Sequence, residues 1–342
     1  MLILGIESSC DDTSVALLES SDQGHFVIAQ KTASQIDVHA KYGGVVPEIA
    51  GRMHAEKIVP LIEEVLKNQP TPDVIAVTAG PGLITGLIVG VEAAKTLAWV
   101  KNIPLVAVNH IDGHIHSVEL QSPKSKVQSP TIDFPALILI VSGGHTELIL
   151  MRDHGDYTIL GATKDDAAGE CFDKVAKLLG FPYPGGPHIS KLGALGNISA
   201  IDFPRPMMTH GNFDFSFAGL KTSALYWSRD NKFSPEITIN DFCASFEQAI
   251  VDVLIAKTIR AAKQYNVKTV ILAGGVSANK KLRETLETSV NTKLADTKLK
   301  MASPEFCMDN GAMIAAAGYY LAKQKKFTDW RTISADPNWK IV

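Results

Sequence analysis

The sequence lacks the marks of secreted, zinc-ribbon and membrane-spanning proteins. Its four cysteines, Cys10, Cys171, Cys243 and Cys307, are widely scattered and include no CxxC pair, which predicts neither a disulfide framework nor a zinc ribbon. No basic stretch precedes the first apolar residues, so we expect no signal peptide. Apolar runs of about ten residues are too short to span a bilayer. A reducing cytoplasmic location fits these features best.

The sequence also lacks a strong charge of either sign. It has 33 Lys and Arg residues against 36 Asp and Glu residues, a formal net charge of −3, and this gives no general nucleic-acid signature. RNA contact would then depend on partner proteins or on local basic groups, although charge runs of this kind are usually ordinary solvated surface. The basic groups in question are Lys174, Lys177, Lys191, Arg205, Lys280, Lys281 and Arg283.

The chain is nevertheless long and apolar enough for substantial cores. With 342 residues, 46% of them hydrophobic, it predicts one large or two medium globular domains. Strands, glycine-rich turns and helices alternate along it, which is typical of an α/β fold. The Pro- and Ser-rich segment 121–133 is the clearest linker. Apolar spacing predicts a helix over 47–67, and Pro60 is expected to kink that helix or split it in two.

A histidine-rich stretch, VNHIDGHIH at 108–116, follows the apolar strand predicted at 103–108. If a helix begins just after Asn109, His110 and His114 lie one turn apart on one face, and His116 points elsewhere. Two imidazoles in that arrangement can hold a transition-metal ion. A polar helix face explains the spacing equally well, and spacing alone provides no third ligand.

The chain contains a weak internal repeat of strand, polar turn and strand. The first copy covers residues 2–18 with its turn at Ser9–Thr13, and the second covers 136–150 with its turn at Ser142–His145. Small polar residues and an Asp at a hairpin tip suit a phosphate or metal site, although a simple Asx turn explains the first tip as well. The repeat predicts two lobes of related architecture whose hairpin tips face one cleft.

Glycine-rich turns follow three of the predicted strands, at 79–83, 142–145 and 274–279. Any one of them is explained by close packing alone. Together, in an alternating α/β pattern, they favour a cleft that binds phosphate and nucleoside.

Long motifs follow one another along the chain from Ile3 to about Tyr320. They are GIESSCDDTSVAL, HAKYGGVVPEIAGRMHAEKI, TAGPGL, VNHIDGH, IVSGGHTEL, DDAAGECFDKVAKLLGFPYPGGP, FSFAGLKT, AGGVSANKKLR and MDNGAMIA. With these motifs in this order, the sequence resembles the TsaD/Kae/Gcp family of tRNA N6-adenosine threonylcarbamoyltransferases, and the bacterial form is the nearer match.

The resemblance implies a two-lobed α/β fold of the actin, Hsp70 and sugar-kinase type (ASKHA), built from duplicated ribonuclease-H-like lobes around a central cleft. On this basis residues 1–125 form the N-terminal lobe, and a C-terminal helix at 310–335 packs back on it. Residues 134–309 form the C-terminal lobe, with a mostly helical insertion around 165–240.

The resemblance also implies the reaction. The family transfers the threonylcarbamoyl group from threonylcarbamoyl-adenylate to the exocyclic amine of the adenosine immediately 3′ of the anticodon, in tRNAs that read ANN codons, and AMP is released. One Fe²⁺ or Zn²⁺ per subunit is implied, held in the cleft by His110, His114 and Asp309. Implied partners are tRNA, a TsaB-like paralogue and a TsaE-like ATPase, with a TsaC/Sua-type synthase supplying the adenylate.

The remaining site residues follow from the matched motifs. Asp11 is a candidate general base for the attacking amine or, alternatively, a carboxylate that orders a metal-bound water. The family usually has Cys-Asp-Glu-Thr at the first hairpin, whereas this chain has Asp12 in place of the glutamate, which puts in doubt any role that needs the longer side chain. The implied substrate-binding residues are Ile140, Val141, Ser142, Gly143, Gly144, Asp173, Gly186 and Asn279.

Three other functions compete with this interpretation. A metal-dependent glycoprotease would need HExxH, but Ile111 stands where the general-base glutamate should be. A phosphotransferase of the same fold would bind Mg²⁺ through carboxylates and phosphate, which the HxxxH motif does not favour. A non-catalytic scaffold that senses nucleotide remains as the third alternative.

Overall fold

The computed structural model describes residues 1–121 and 132–342, so most of the predicted linker at 121–133 lies outside the described residues. The described chain forms two compact units. The first comprises Met1–Ile132 and Ala302–Val342, and the second comprises Asp133–Met301. Within the described residues, none of the helices combines the length and the hydrophobicity that crossing a bilayer requires.

Strands and helices alternate as the sequence predicts for an α/β fold. The strands are β1 (Leu2–Glu7), β2 (Asp12–Ser21), β3 (Gly24–Ser34), β4 (Val74–Gly80), β5 (Leu105–Asn109), β6 (Leu120–Gln121), β7 (Ala136–Val141), β8 (Thr146–Asp153), β9 (Asp156–Ala162), β10 (Thr269–Ala273) and β11 (Lys298–Met301). The helices are α1 (Ile36–His39), α2 (Pro47–Leu66), α3 (Ile84–Lys101), α4 (His110–His116), α5 (Ala168–Leu178), α6 (Gly186–Gly193), α7 (Ala218–Asp230), α8 (Ile239–Tyr265), α9 (Lys280–Lys293) and α10 (Gly311–Lys323).

The two units repeat one sheet topology. The first sheet has the order β5-β4-β1-β2-β3-β6, and the second has the order β11-β10-β7-β8-β9. In each sheet three consecutive strands form an antiparallel meander, β1-β2-β3 in the first and β7-β8-β9 in the second. Two further strands then pair in parallel beside the first strand of the meander, β4 and β5 in the first sheet and β10 and β11 in the second. The duplicated, two-lobed fold that the resemblance implies is therefore present.

Close backbone packing fixes the last helix on the first sheet. A Cβ atom at Gly5 in the middle of β1 would collide with the Gly311 carbonyl oxygen and would lie 2.7 Å from the Ala315 nitrogen. The Gly311 N–H also donates to Ser14 Oγ on β2 at 3.0 Å. Strand β1 and helix α10 thus meet backbone to backbone, which brings the two ends of the chain together in one unit.

Three details differ from the sequence-based expectation. Residues 302–309 belong to the first unit, not the second, because β11 ends at Met301 and the chain then runs to α10 on the first sheet. The final helix ends at Lys323 rather than near 335, since Lys325 adopts a φ of 58° that is incompatible with continuing the helix. Pro60 does not split α2, which continues from Pro47 to Leu66.

The β1–α10 contact yields a stability prediction. Substituting Gly5→Ala should lower the free energy of unfolding by about 1–3 kcal/mol, because the added methyl group meets backbone atoms that cannot move aside cheaply. Gly211→Ala is the matched control, since a Cβ there meets nothing within 4 Å. Urea denaturation of both variants measures the difference, and equal stabilities would contradict the packing described.

Candidate metal centre and substrate segments

Helix α4 presents the two predicted histidines from a buried position. Asn109 precedes the helix, and its side chain caps it by accepting a hydrogen bond from the Ile111 N–H at 2.9 Å. The helix begins directly after Asn109, which is the condition under which His110 and His114 share a face, and their ring centroids lie 4.7 Å apart. All seven residues of the helix are buried.

Asp309 completes the constellation in the same unit. Its Oδ1 lies 3.2 Å from His114 Nε2 and 3.6 Å from His110 Nε2. One ligand atom from each of the three residues lies within 4.8 Å of the other two. Two imidazole nitrogens and a carboxylate oxygen are a donor set that suits Zn²⁺ or Fe²⁺ and leaves coordination positions open.

Glu7, which the sequence analysis did not single out, fixes the orientation of His110. Its carboxylate is fully buried, and Oε2 lies 3.1 Å from His110 Nδ1. The Thr78 hydroxyl donates to Oε2 and the Ser9 N–H donates to Oε1, both at 2.6 Å. A carboxylate that binds Nδ1 leaves Nε2 directed to the metal side, which is the usual support of a ligating histidine.

The contact between Glu7 and His110 shifts the pKa values of both side chains. Burial alone would lower the pKa of His110, but the charges of Asp309 and Glu7 and the hydrogen bond to Glu7 raise that pKa to about 9. For Glu7, burial opposes ionisation, but the charge and hydrogen bond of His110 outweigh it and lower the pKa of the carboxyl group. A buried, charged pair results that is stable only while both partners remain.

His116 is not part of the constellation, in agreement with the prediction that it points elsewhere. Its Nδ1 lies 2.8 Å from Glu119 Oε2, and its Nε2 lies 3.4 Å from Asp112 Oδ1. Its ring stacks on Tyr320 at 4.5 Å. The side chain is therefore a buried, ion-paired residue that joins α4 to α10.

The turn between β1 and β2 carries Asp11 and Asp12 beside this centre. Burial, followed by the negative charge of Asp309, raises the pKa of Asp11. Burial raises the pKa of Asp12 to about 7, and Asp12 Oδ1 is buried without a hydrogen-bond partner among the described residues. The shorter acid at position 12 thus remains inside the hairpin, in register with Ser34 of β3.

In the second unit, the turn after β7 exposes backbone. Ile140 and Val141 are buried at the end of the strand, and Ser142 closes the turn through its N–H to the His145 carbonyl at 2.8 Å. A Cβ atom at Gly143 or Gly144 would meet nothing within 4 Å. The turn therefore offers unobstructed peptide groups of the kind that bind anions.

The other predicted substrate residues converge on helix α6 of the same unit. Asp173 Oδ1 accepts hydrogen bonds from the N–H groups of Gly185 and Gly186, at 2.8 and 3.2 Å. Asn279 donates to Ser190 Oγ on α6 at 2.9 Å, and its Oδ1 caps α9. Asn279 also donates to the buried Glu247 carboxylate at 2.7 Å, a residue that sequence reasoning missed.

Gly274 brings the turn that leads to Asn279 against the end of β7, which precedes the turn Ser142–His145. Gly274 adopts a φ of 91° after β10, and a Cβ there would lie 2.5 Å from the Val141 carbonyl oxygen. The turn that leads to Asn279 therefore lies directly against the end of β7. All eight predicted substrate residues lie in the second unit, at the end of β7 and in the turn after it, on α5, at the start of α6 and directly before α9, while the three predicted metal ligands and Asp11 lie in the first.

Asp12 provides a pH-dependent prediction. Its folded-state pKa of about 7 lies above the ordinary value of 3.8, so the folded state binds this proton more tightly and its contribution to stability is lost as the pH rises from about 4 to 7. Asp12→Asn removes that loss. Relative to the wild type, the free energy of unfolding of the variant should be higher by on the order of 1–3 kcal/mol at pH 8 and by much less at pH 4.5. Urea denaturation of metal-free protein at both pH values tests this, and a gain that does not change with pH would contradict it.

Comparisons with known proteins identify the family. The family model described as "TsaD: tRNA N6-adenosine threonylcarbamoyltransferase" matches residues 26–316. Curated relatives named tRNA N6-adenosine threonylcarbamoyltransferase include those of Geobacillus thermodenitrificans (46% identical; 99% of this chain, 97% of the relative) and Listeria monocytogenes (50%; 93% and 90%).

Among solved structures, full-length HypF in its phosphate- and nucleotide-bound form aligns with a TM-score of 0.60 at 14% identity, covering 94% of this chain and 55% of that one. The T.kodakarensis HypF structure gives a TM-score of 0.61 at 15% identity, with 94% and 48% covered. The present chain spans about half the length of these proteins, and the likeness concerns the fold alone. The sequence relatives decide the family, and the chain belongs to the tRNA N6-adenosine threonylcarbamoyltransferases.

Proposed function

We propose that the protein transfers the threonylcarbamoyl group of threonylcarbamoyl-adenylate to the exocyclic amine of the adenosine immediately 3′ of the anticodon, in tRNAs that read ANN codons. The observation that carries the proposal is the buried convergence of His110, His114 and Asp309, with Glu7 behind His110. This centre lies in a chain whose curated relatives carry the name of that transferase.

His110, His114 and Asp309 would hold one Fe²⁺ or Zn²⁺. The donor set supports this assignment, because Glu7 occupies Nδ1 of His110 and leaves Nε2 on the side of Asp309. When bound, the ion supplies a fixed positive charge for the phosphate or the threonyl carboxylate of the donor.

The chain's own residues mainly bind and orient, because the mixed anhydride of the donor is already activated. The exposed turn Ser142–Gly144 would contact the phosphate or the threonyl group through its peptide groups. The loops that Asp173, Gly186 and Asn279 hold in place would receive the ribose and adenine. Ile140 and Val141 set the position of the turn from the buried end of β7.

Asp11 is the proposed general base. The amine nitrogen attacks the carbamoyl carbon and forms the new C–N bond, while the bond from that carbon to the phosphate oxygen breaks and AMP leaves with the electron pair. The proton lost from the amine passes to the Asp11 carboxylate. The raised pKa of Asp11 supports this role, since a more basic carboxylate accepts a proton more readily near neutral pH.

Recruitment of tRNA is proposed to depend on partner proteins. Lys174 pairs with Asp166 and Glu170, and Arg205 pairs with Asp202 and Asp252, so these basic groups are largely balanced by nearby acids. A TsaB-like paralogue and a TsaE-like ATPase would assist, and a TsaC/Sua-type synthase would supply the adenylate. A cytoplasmic location is proposed as well, in keeping with a tRNA substrate.

The metal assignment predicts graded losses. His110→Ala should abolish stoichiometric metal binding and lower transfer to unmodified tRNA in a system reconstituted with synthetic threonylcarbamoyl-adenylate. Glu7→Gln should weaken metal binding by about 10- to 100-fold, because it removes the charged support of the ligand. Metal analysis after dialysis and the rate of modified-nucleoside formation are the readouts. The exposed His210→Ala is the control, and full metal content in His110→Ala would refute the assignment.

The proposed base can be tested separately from the metal. Asp11→Asn should lower the transfer rate by about 10²- to 10⁴-fold and leave the metal content unchanged, because the amide keeps the size of the side chain but cannot accept the proton. The same reconstituted assay measures the rate. Transfer at the wild-type rate would exclude Asp11 as the base while leaving the metal and substrate assignments intact.

A further inference from the structure

The turn that carries Asp11 is held by three consecutive carbonyl groups. Ser9 O accepts from the Leu83 N–H at 2.7 Å, and Asp11 O accepts from the Gln35 N–H at 3.0 Å. Between them, Cys10 O accepts from His54 Nε2 at 3.0 Å. The outer two donors are backbone N–H groups, which a change of side chain does not remove. The central donor is the His54 side chain on helix α2, which a substitution can remove.

The hydrogen-bond partners of His54 determine its tautomer. Because Cys10 O can only accept, Nε2 of His54 carries the hydrogen, and Nδ1 accepts from the Thr13 hydroxyl at 2.7 Å. The ring is fully buried, and this burial lowers the pKa of His54 and favours the neutral form. A neutral imidazole with one donor and one acceptor position matches these two partners.

A second buried histidine extends the arrangement. His39 Nε2 donates to Gln35 Oε1 at 3.0 Å, and its Nδ1 accepts from the Val46 N–H at 3.3 Å. The Gln35 amide nitrogen lies 3.4 Å from His54 Nδ1. His39 and Gln35 are thus hydrogen-bonded to each other, and the Gln35 amide lies against the His54 ring beside the Thr13 hydroxyl that donates to Nδ1.

Close packing leaves the His54 ring little freedom. A Cβ atom at Gly86 of α3 would lie 3.0 Å from two atoms of the ring, and one at Gly51 of α2 would lie 2.9 Å from Thr85 Cβ. The two helices therefore approach closely around the imidazole. The motif HAKYGGVVPEIAGRMH supplies both histidines and Val46, and none of its residues has a role in the proposed chemistry so far.

We propose that His54 is a positioning residue for the transfer reaction. Through Cys10 O it fixes the peptide that joins Cys10 to Asp11, and the His39–Gln35 pair keeps the ring in place, so that the Asp11 carboxylate is presented in one orientation. The inference rests on the proposed function, because it takes Asp11 as the base. It assigns no direct contact between His54 and substrate.

A three-variant series tests the positioning role. His54→Leu removes the donor and should lower kcat by about 10- to 100-fold, since small misplacements of a reacting group have effects of that size. The KM for threonylcarbamoyl-adenylate and the metal content should change less than about twofold, because neither site is touched. His54→Gln should recover most of the loss, since its amide can donate to Cys10 O and accept from Thr13. His39→Leu should give a smaller loss of about 3- to 10-fold, because it acts only through Gln35.

The control is His25→Leu, which removes another buried imidazole of the same unit at a place bonded to Tyr320 rather than to the turn. It should lower the melting temperature without lowering kcat. If His54→Leu is unfolded at the assay temperature, Thr13→Val replaces it, because it removes the partner of Nδ1 at nearly constant volume. Thr13→Val should then lower kcat by a smaller factor, about 3- to 10-fold, at constant KM, because the Nε2 donor to Cys10 O remains.

The outcomes separate the inference from the function on which it rests. Wild-type kcat in His54→Leu or Thr13→Val, or a His54→Gln variant no better than His54→Leu, overturns the positioning role. If Asp11→Asn is inactive in the same experiment, the proposed function stands and only the inference fails. If Asp11→Asn retains full activity, the proposed base is wrong, and the role of His54 falls with it.

Discussion

The buried contact between Glu7 and His110 is the interaction on which the first unit is organised. A carboxylate at the end of a fully buried strand is tolerated only if its charge is paired and its oxygens accept hydrogen bonds, since an unpaired buried charge costs about 3–5 kcal/mol. Here the Ser9 N–H, the Thr78 hydroxyl and the His110 ring meet that demand together. Satisfying one side chain therefore fixes the β1 turn, the end of β4 and the start of α4 relative to each other.

The duplicated sheet shows how one topology supports two kinds of site. In the first unit the strand-to-strand turn contains acids and is held at its carbonyl groups by Leu83, His54 and Gln35. In the second unit the equivalent turn contains Gly143 and Gly144, where an added Cβ would meet nothing within 4 Å. The shared hairpin positions a turn at the end of a central strand, and the residues in the turn decide whether it offers carboxylates or backbone donors.

Local periodicity predicted some of the centre well. The helix containing His110 and His114 follows from the spacing, from Asn109 as a cap and from the preceding apolar strand, all of which are features of neighbouring residues. Asp309 could not be found in this way, because it meets the histidines only through the tertiary packing of α10 on β1. The resemblance to a known family named it, and the Gly5–Gly311 contact now explains why it arrives there.

Glu7 and Glu247 were missed for a related reason. Glu7 ends an apolar strand and Glu247 lies within a long helix, and a sequence pattern gives no information on whether such an acid faces solvent or a buried partner. The second unit ends at residue 301, whereas the predicted boundary was after residue 309. It was misplaced because the last strand of the second sheet and the return to the first sheet follow one another without a glycine- or proline-rich linker. Pro60 was expected to kink α2 or split it in two; the residue is exposed, and the helix continues through it without a break.

The distribution of charge supports the proposed cation at this centre. Glu7, Asp11, Asp12 and Asp309 lie in one region, and Asp309 helps to raise the pKa values of both Asp11 and Asp12. The adenylate donor of the proposed reaction is itself an anion, so this region alone would repel it. A cation held by His110, His114 and Asp309 would reverse that repulsion and would let ionised Asp11 remain close to the donor. The reaction needs no hydrolytic base on α4, and the buried Ile111 next to His110 fits a centre that binds an activated donor rather than one that directs water at a peptide bond.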